Sequence, residues 1–244
     1  MSKNAQRFDK KAQRELRGNQ MIAEDNIKKN NIVRFQQDKN PIVGKTDNQK
    51  SLIDAIKNNN QVIVLGPAGT GKSYISVGMA ADWFALSNKN QMYICRPMVC
   101  NGDDIGALPG DDFAKCAPYA LPAMKTIKGR LGADKFDNDL ASGRIMVRPL
   151  QLMQGESLDD CWLVVDEAQE MTISQAKMIV TRMGVNAKLI LNGDIRQCNL
   201  KEDSGLQFLI DKIKEHGMDI PVIEFDMDDC QRSDECYQWI KALY

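Results

Sequence analysis

The chain has 244 residues, 43% apolar and 27% charged, which is the composition of an ordinary globular protein long enough to bury a real core. No apolar run approaches membrane-spanning length, and the opening "MSKNAQRFDKKAQRELRGNQ" lacks the apolar centre of a signal peptide, so the expectation is a cytoplasmic protein with no membrane partner. The net charge of -1 excludes nothing by itself, but residues 1–40 carry ten Lys and Arg against five Asp and Glu, ahead of an acidic body.

Residues 1–40 are polar and rich in helix formers. They read as a basic extension, helical or partly disordered, and either a hint of an anionic partner or simply a solvated arm. Pro41-Ile42-Val43-Gly44 marks a boundary, and 41–244 reads as one domain. "TDNQKSLIDAIKN" is a helix capped by Thr46 or Asp47, and "QVIVL" at 61–65 is a short buried strand.

Next comes "GPAGTGKS", which satisfies G-x-x-x-x-G-K-[ST] between a predicted strand and a predicted helix, "SYISVGMAADWFAL". That context makes Gly66, Pro67, Ala68, Gly69, Thr70, Gly71, Lys72 and Ser73 a phosphate cradle. Glycines let backbone N–H groups turn inward around phosphate oxygens, and the helix directs its positive end at them. Lys72 neutralises the β- and γ-phosphates, and the Ser73 hydroxyl is a ligand for Mg²⁺. The loop alone does not separate kinases, GTPases, motors and switches.

"MYIC" is the next strand, followed by 97–118, which is rich in Gly, Pro and Asp and reads as a long acidic loop. "RIMVR" and "CWLVV" are further strands, and the second ends in "DEAQE". Asp166 there is the expected partner of the loop, holding a water of the Mg²⁺ shell. Glu167 can polarise the water that attacks a γ-phosphate, or it can merely open a helix, where an acid is favourable anyway.

A helix over 173–183 presents Ile173, Ala176, Val180 and Met183 on one face. "KLILN" is a strand leading into "GDIRQ", where Asp194 or Asn192 can sense the γ-phosphate and Gln197 can bond the attacking water or a phosphate oxygen. A helix over 205–215 and the strand "VIEF" follow. Short apolar strands alternating with helices imply an α/β fold with a parallel sheet covered on both faces.

Seven cysteines, at 95, 100, 116, 161, 198, 230 and 236, form no Cys-x-x-Cys pair, and His216 is the sole histidine. That argues against structural zinc, and the several cysteines inside apolar runs, as in "MYIC" and "CWLVV", read as small buried thiols of a reduced compartment.

The order P-loop, Asp-Glu-x-Gln, Gly-Asp-x-x-Gln resembles the core of superfamily-1 helicases. More closely, the chain resembles the PhoH family of P-loop ATPases from about Gln49 to about Arg232. The resemblance rests on "GPAGTGKS", "CRPMVCNGDDIGALPGD", "PLQLMQGESLDDCWLVVDEAQEMTISQAKMIVTRMG" and "LNGDIRQCNL". It implies a single RecA-like domain, with a mostly parallel sheet between helices, that binds ATP with Mg²⁺ and acts on RNA or single-stranded DNA. By similarity, Lys72, Ser73, Asp166 and Glu167 are the catalytic set, Gln197 is the sensor, and Gln49 sits where an adenine-reading glutamine belongs. A one-lobed chain would complete its site with an arginine from a neighbouring subunit, Arg182 ahead of Arg232. That implies a homo-oligomer, either a ring such as a hexamer or a filament.

There are departures from the family pattern. Where the family carries Met-Arg-Gly-Arg-Thr-Leu, this chain has Met153-Gln154-Gly155-Glu156-Ser157-Leu158. The family's Asp-Leu after the sensor is Asn199-Leu200, and an Arg-His-Pro phrase is Arg232-Ser233-Asp234. Three functions are therefore weighed: a nucleic-acid-dependent ATPase or helicase, a nucleotide-gated switch that remodels a protein partner, and a small-molecule kinase.

Overall fold

The computed structural model describes residues 37, 38, 40–98, 112–153, 155 and 157–243. The expected basic extension, Cys100, and the Gln154 and Glu156 departures lie outside the described residues, and most of 97–118 does too.

Among the described residues, six strands form one sheet: β1 (Gln61–Leu65), β2 (Gln91–Arg96), β3 (Ile145–Pro149), β4 (Cys161–Val165), β5 (Lys188–Gly193) and β6 (Val222–Glu224). Their order is β3-β2-β4-β5-β1-β6, and every neighbouring pair is parallel. The helices are α1 (Asp47–Asn58), α2 (Lys72–Ala85), α3 (Asp112–Leu131), α4 (Ala133–Ala141), α5 (Ile173–Val180), α6 (Gly205–His216) and α7 (Asp234–Leu243). This is the α/β, RecA-like architecture, with the sheet wholly parallel.

The continuous apolar strands are explained by two separate cores. Successive side chains point to opposite faces of a strand. Val62, Val64, Met92, Ile94, Trp162, Val164 and Ile190 therefore join α1 to α4 on one face. Ile63, Tyr93, Cys95, Leu163, Val165, Leu189 and Leu191 join α5 and α6 on the other. Trp83 of α2 stacks on Trp162 of β4 with ring centroids 5.3 Å apart. Lys188 enters the same core; its ammonium donates to the carbonyls of Ile56 and Asn59 at the end of α1 and lies 5.0 Å from the Trp162 ring. Burial lowers its pKa.

Thr46, not Asp47, caps α1, accepting from Gln49 N. Three sequence expectations need correction. The 97–118 segment is not all loop, because α3 starts at Asp112 and runs through Pro118 and Pro122. Those prolines read as breakers, yet α3 continues because Ala123, Ile127 and Leu131 bury against the sheet. The helix expected over 173–183 ends at Val180, and Met183 has left it to bridge with Leu158. Its buried face is also rotated: Ala176 and Ile179 are fully buried, and Ile173 is not. Among the described residues, no helix is long and apolar enough to cross a membrane.

Candidate functional site

The carboxyl ends of β1, β4 and β5 are brought side by side by the strand order, and ligands of open parallel sheets bind outside such ends. Backbone bonds fix these ends to their neighbours: Gly66 N donates to Gly193 O at 3.1 Å, and Asp166 N donates to Cys95 O at 2.9 Å.

After β1 the loop needs left-handed backbone. Gly69 has φ +84° and Gly71 φ +94°, conformations that L side chains rarely adopt. Lys72 opens α2, and its ammonium donates to Gly66 O at 2.6 Å and Pro67 O at 2.7 Å. Burial lowers the Lys72 pKa, against the pull of Asp194, Asp166 and Glu167. Thr70 is fully buried, and its hydroxyl donates to Pro67 O at 3.0 Å.

After β4, the Ser73 hydroxyl donates to Asp166 Oδ1 at 2.7 Å. Burial raises the Asp166 pKa, while the Ser73 bond, Arg96 and Lys72 oppose the rise. Glu167 follows with φ 54° and ψ 41°, a left-handed conformation that is uncommon outside glycine and is found at functional sites. It stands at the cap position of a short 3₁₀ turn, Ala168–Glu170, but its side chain caps nothing. Instead, Gln169 Nε2 donates to Glu167 Oε2 at 2.7 Å, and Arg96 Nη2 lies 3.8 Å from Glu167 Oε1. Gln169 is buried and also accepts from Asp194 N at 3.0 Å, tying the ends of β4 and β5 together.

After β5, Asn192 is fully buried and accepts from the Ser76 hydroxyl at 2.9 Å, while its Nδ2 has no hydrogen-bond partner. Asp194 accepts from Arg196 N. Gln197 ends the 3₁₀ turn Ile195–Gln197. Asn199 donates twice to Glu170 Oε1, from its backbone N at 3.0 Å and its side chain at 2.8 Å. An aspartate at 199 would instead face that carboxylate, so the departure at this position has a local partner.

A cleft of about 360 Å³ is lined by Ala68, Gly69, Gly71, Lys72, Ser73, Arg96, Tyr119, Asp166, Glu167, Asn192, Asp194, Gln197 and Arg232, among others. Gly66 and Pro67 face a neighbouring groove with Asp194, Glu224 and Asp226. Gln49 does not line the cleft. It is buried, its Nε2 donating to Thr70 O at 2.9 Å and its Oε1 accepting from Lys45 N at 2.8 Å, so it braces the loop.

The two candidate arginines separate. Arg232 lies on the loop itself: a β-carbon built on Gly69 would meet its Cγ at 2.6 Å, and Gln231 N donates to Gly69 O at 2.9 Å. Arg182 lies beyond α5, where its carbonyl accepts from Leu158 N ahead of β4. That is the other end of β4 from Asp166. Sequence alone assigns no role to Gln169 or Tyr119, and Arg96 enters only within the stretch "CRPMVC". The signal for Arg96 was present, since a charged residue closes an otherwise buried strand.

Ser73 and Asp166 fit a hard cation. A hydroxyl and a carboxylate converge at hydrogen-bonding distance, and Mg²⁺ takes few protein oxygens, the rest of its shell being water and phosphate. Among the described residues no group of three or more His, Cys, Asp and Glu could hold a metal by itself.

Comparison with known proteins matches residues 41–244 to the family described as PhoH-like protein. Protein PhoH of Escherichia coli (strain K12) is 33% identical over 215 residues, covering 86% of this chain and 60% of that protein. A PhoH-like protein of Bacillus subtilis (strain 168) is 38% identical over 191 residues, covering 77% of this chain and 59% of that protein. The chain therefore spans about three fifths of either relative's length. Among solved structures, the large terminase from a thermophilic bacteriophage superposes with a TM-score of 0.52 at 17% identity, over 82% of this chain and 50% of that one. At that identity the likeness speaks to the fold alone.

Proposed function

The chain belongs to the PhoH-like family, and from that premise we propose that it hydrolyses ATP with Mg²⁺ as an oligomeric, nucleic-acid-dependent ATPase acting on RNA or single-stranded DNA. One observation carries the hydrolytic reading. Glu167 lines the nucleotide cleft, one residue beyond the Ser73–Asp166 pair, with a carboxylate that serves no cap.

In this reading the loop amides, Gln49 through Thr70, and Lys72 hold the triphosphate. Lys72 leaves the carbonyls of Gly66 and Pro67 for the β- and γ-phosphates. Ser73 and Asp166 hold Mg²⁺, which when bound neutralises charge between those phosphates. Glu167 takes a proton from water as the water oxygen bonds to the γ-phosphorus. The bond from that phosphorus to the β–γ bridging oxygen breaks, leaving ADP and inorganic phosphate. Gln197 and Asn192 Nδ2 are donors for the γ-phosphate or the water.

The polynucleotide partner is supported by the basic 1–40 arm and by the helicase-like order of motifs. Assembly into a ring such as a hexamer is supported by Arg182, which stands at the other end of β4 from its own cleft. Arg232 serves in cis, against Gly69. Free thiols at Cys95, Cys161, Cys198, Cys230 and Cys236 suit a cytoplasmic setting.

The test is ATP turnover with and without Mg²⁺, and with and without poly(U) or oligo(dT) at low salt, alongside the oligomeric mass. Turnover stimulated by polynucleotide and weakened by salt is expected. Turnover indifferent to every polynucleotide removes the nucleic-acid reading in favour of a protein-remodelling switch, and phosphate transfer to a small acceptor removes both.

A further inference from the structure

Arg96 closes β2 beside β4, and its guanidinium meets two groups: Glu167 Oε1 at 3.8 Å and the ring of the exposed Tyr119, 5.5 Å from its centroid. Both members of the ion pair are about one third exposed, at 35% and 34%. Arg96 and Glu167 also stand between two spaces. One is the nucleotide cleft. The other is an adjoining cavity of about 350 Å³ lined by Arg96, Glu167, Gln169, Glu170, Gln197 and Asn199. Among the described residues, Arg96 is the one cation in that second lining, which holds two carboxylates and three amides.

With the cleft in this arrangement, both oxygens of Glu167 have partners, Arg96 for one and Gln169 for the other. An oxygen drawn to a guanidinium is not turned to a water. The contact is longer than a hydrogen bond and reachable by solvent, so it is weak and easily exchanged. A phosphate offers the same guanidinium a bidentate partner, which is stronger.

We propose that Arg96 is a positioning residue that holds Glu167 back until a phosphate oxygen takes its guanidinium and frees the carboxylate. The inference rests on the reading of Glu167 as the base in ATP hydrolysis. The phosphate has two sources to distinguish, the γ-phosphate in the nucleotide cleft, which Tyr119 also lines, or a polynucleotide phosphodiester entering the second cavity.

The experiment measures ATP turnover of the full chain as native, Arg96→Ala, Arg96→Lys, Glu167→Gln and Arg96→Ala/Glu167→Gln, with and without poly(U), with binding of a fluorescent ATP analogue as the check on folding. Arg96→Ala is expected to turn over about two to five times faster than native without poly(U), the range a weak, solvent-reachable ion pair can hold back. Arg96→Lys should fall between, and Glu167→Gln should abolish the gain. If poly(U) no longer stimulates Arg96→Ala, the releasing phosphate is the phosphodiester. If poly(U) still stimulates it by the native factor while KM for ATP rises, the releasing phosphate is the nucleotide's own.

Turnover of Arg96→Ala at or below native, with analogue binding intact, overturns the inference. In that case Arg96 stabilises the transition state directly or only braces the fold. A native chain that hydrolyses no ATP overturns the functional reading and the inference together, whereas native hydrolysis without a gain in Arg96→Ala overturns the inference alone.

Discussion

The Ser73 hydroxyl donates to Asp166 Oδ1 at 2.7 Å across 93 residues of sequence. β5 lies between the strands that lead into these two residues, so neither strand touches the other. The bond closes over the top of the intervening strand, through α2 on one side and the end of β4 on the other. In the proposed reading it marks the point where the cation site and the water-activating carboxylate adjoin.

Asp166→Asn separates stability from function at that point. Burial raises the Asp166 carboxyl above its ordinary value of 3.8, so folding favours the protonated acid. The sign follows: this group's contribution is fully present below the unfolded value and is lost as pH rises through the raised folded one. The asparagine chain should therefore melt no lower than native at pH 7 without metal, while Mg²⁺-dependent turnover drops by about two orders of magnitude or more. Thermal melts and Mg²⁺ titrations of turnover check both halves.

Glu167→Gln should keep nucleotide affinity within about threefold and lower hydrolysis by roughly 10²- to 10⁴-fold, the range for loss of a general base. Analogue binding and single-turnover hydrolysis on the same preparation are the measurements. Equal loss of binding and turnover would instead make Glu167 a structural residue.

Gly69→Ala tests the loop. The left-handed φ of +84° costs an alanine about 1–2 kcal/mol, and its β-carbon would press on Arg232 Cγ. Weaker analogue binding and a lower melting temperature are expected. Adding Arg232→Ala should relieve the collision but leave the backbone strain, so the double variant recovers only part of the loss.

Cys161 gives a pH signature in the alkaline range. Burial, with Asp159 and Asp160 nearby, pushes its thiol from 9.0 up to about 12. The unfolded chain loses that proton first, so stability falls as pH rises from 9 toward 12, by at most about 1.4 kcal/mol per pH unit. Urea melts at pH 8, 9 and 10 should show the decline. Cys161→Ala, although less stable at pH 8, should decline less steeply.

The P-loop, the Asp-Glu strand end and the sensor turn were legible in the sequence because each is local, a strand followed by a short polar phrase. What joins them was not. Arg96 and Glu167 meet only because β2 and β4 are neighbours, and strand order is not written in any one segment. The helix through Pro118 and Pro122 was hidden because its stability comes from Ala123, Ile127 and Leu131 packing on the sheet, against local propensity. Gln49 was placed near the nucleotide by resemblance, but its brace on Thr70 O depends on α1 folding back over the loop.

The bracing of Gly69 by Gln231 bears on how the protein is made. β1 and the loop leave the ribosome early, yet β1 pairs with β5 and β6, and its loop is walled by Arg232. At about 5–20 residues per second, seconds to tens of seconds of synthesis separate the loop from those partners. Until β5 emerges β1 has two bare edges, and until β6 emerges it has one, which a chaperone or a second nascent chain can reach. On the proposed reading, nucleotide binding should therefore appear late and abruptly on stalled nascent chains, once residues 222–232 have emerged.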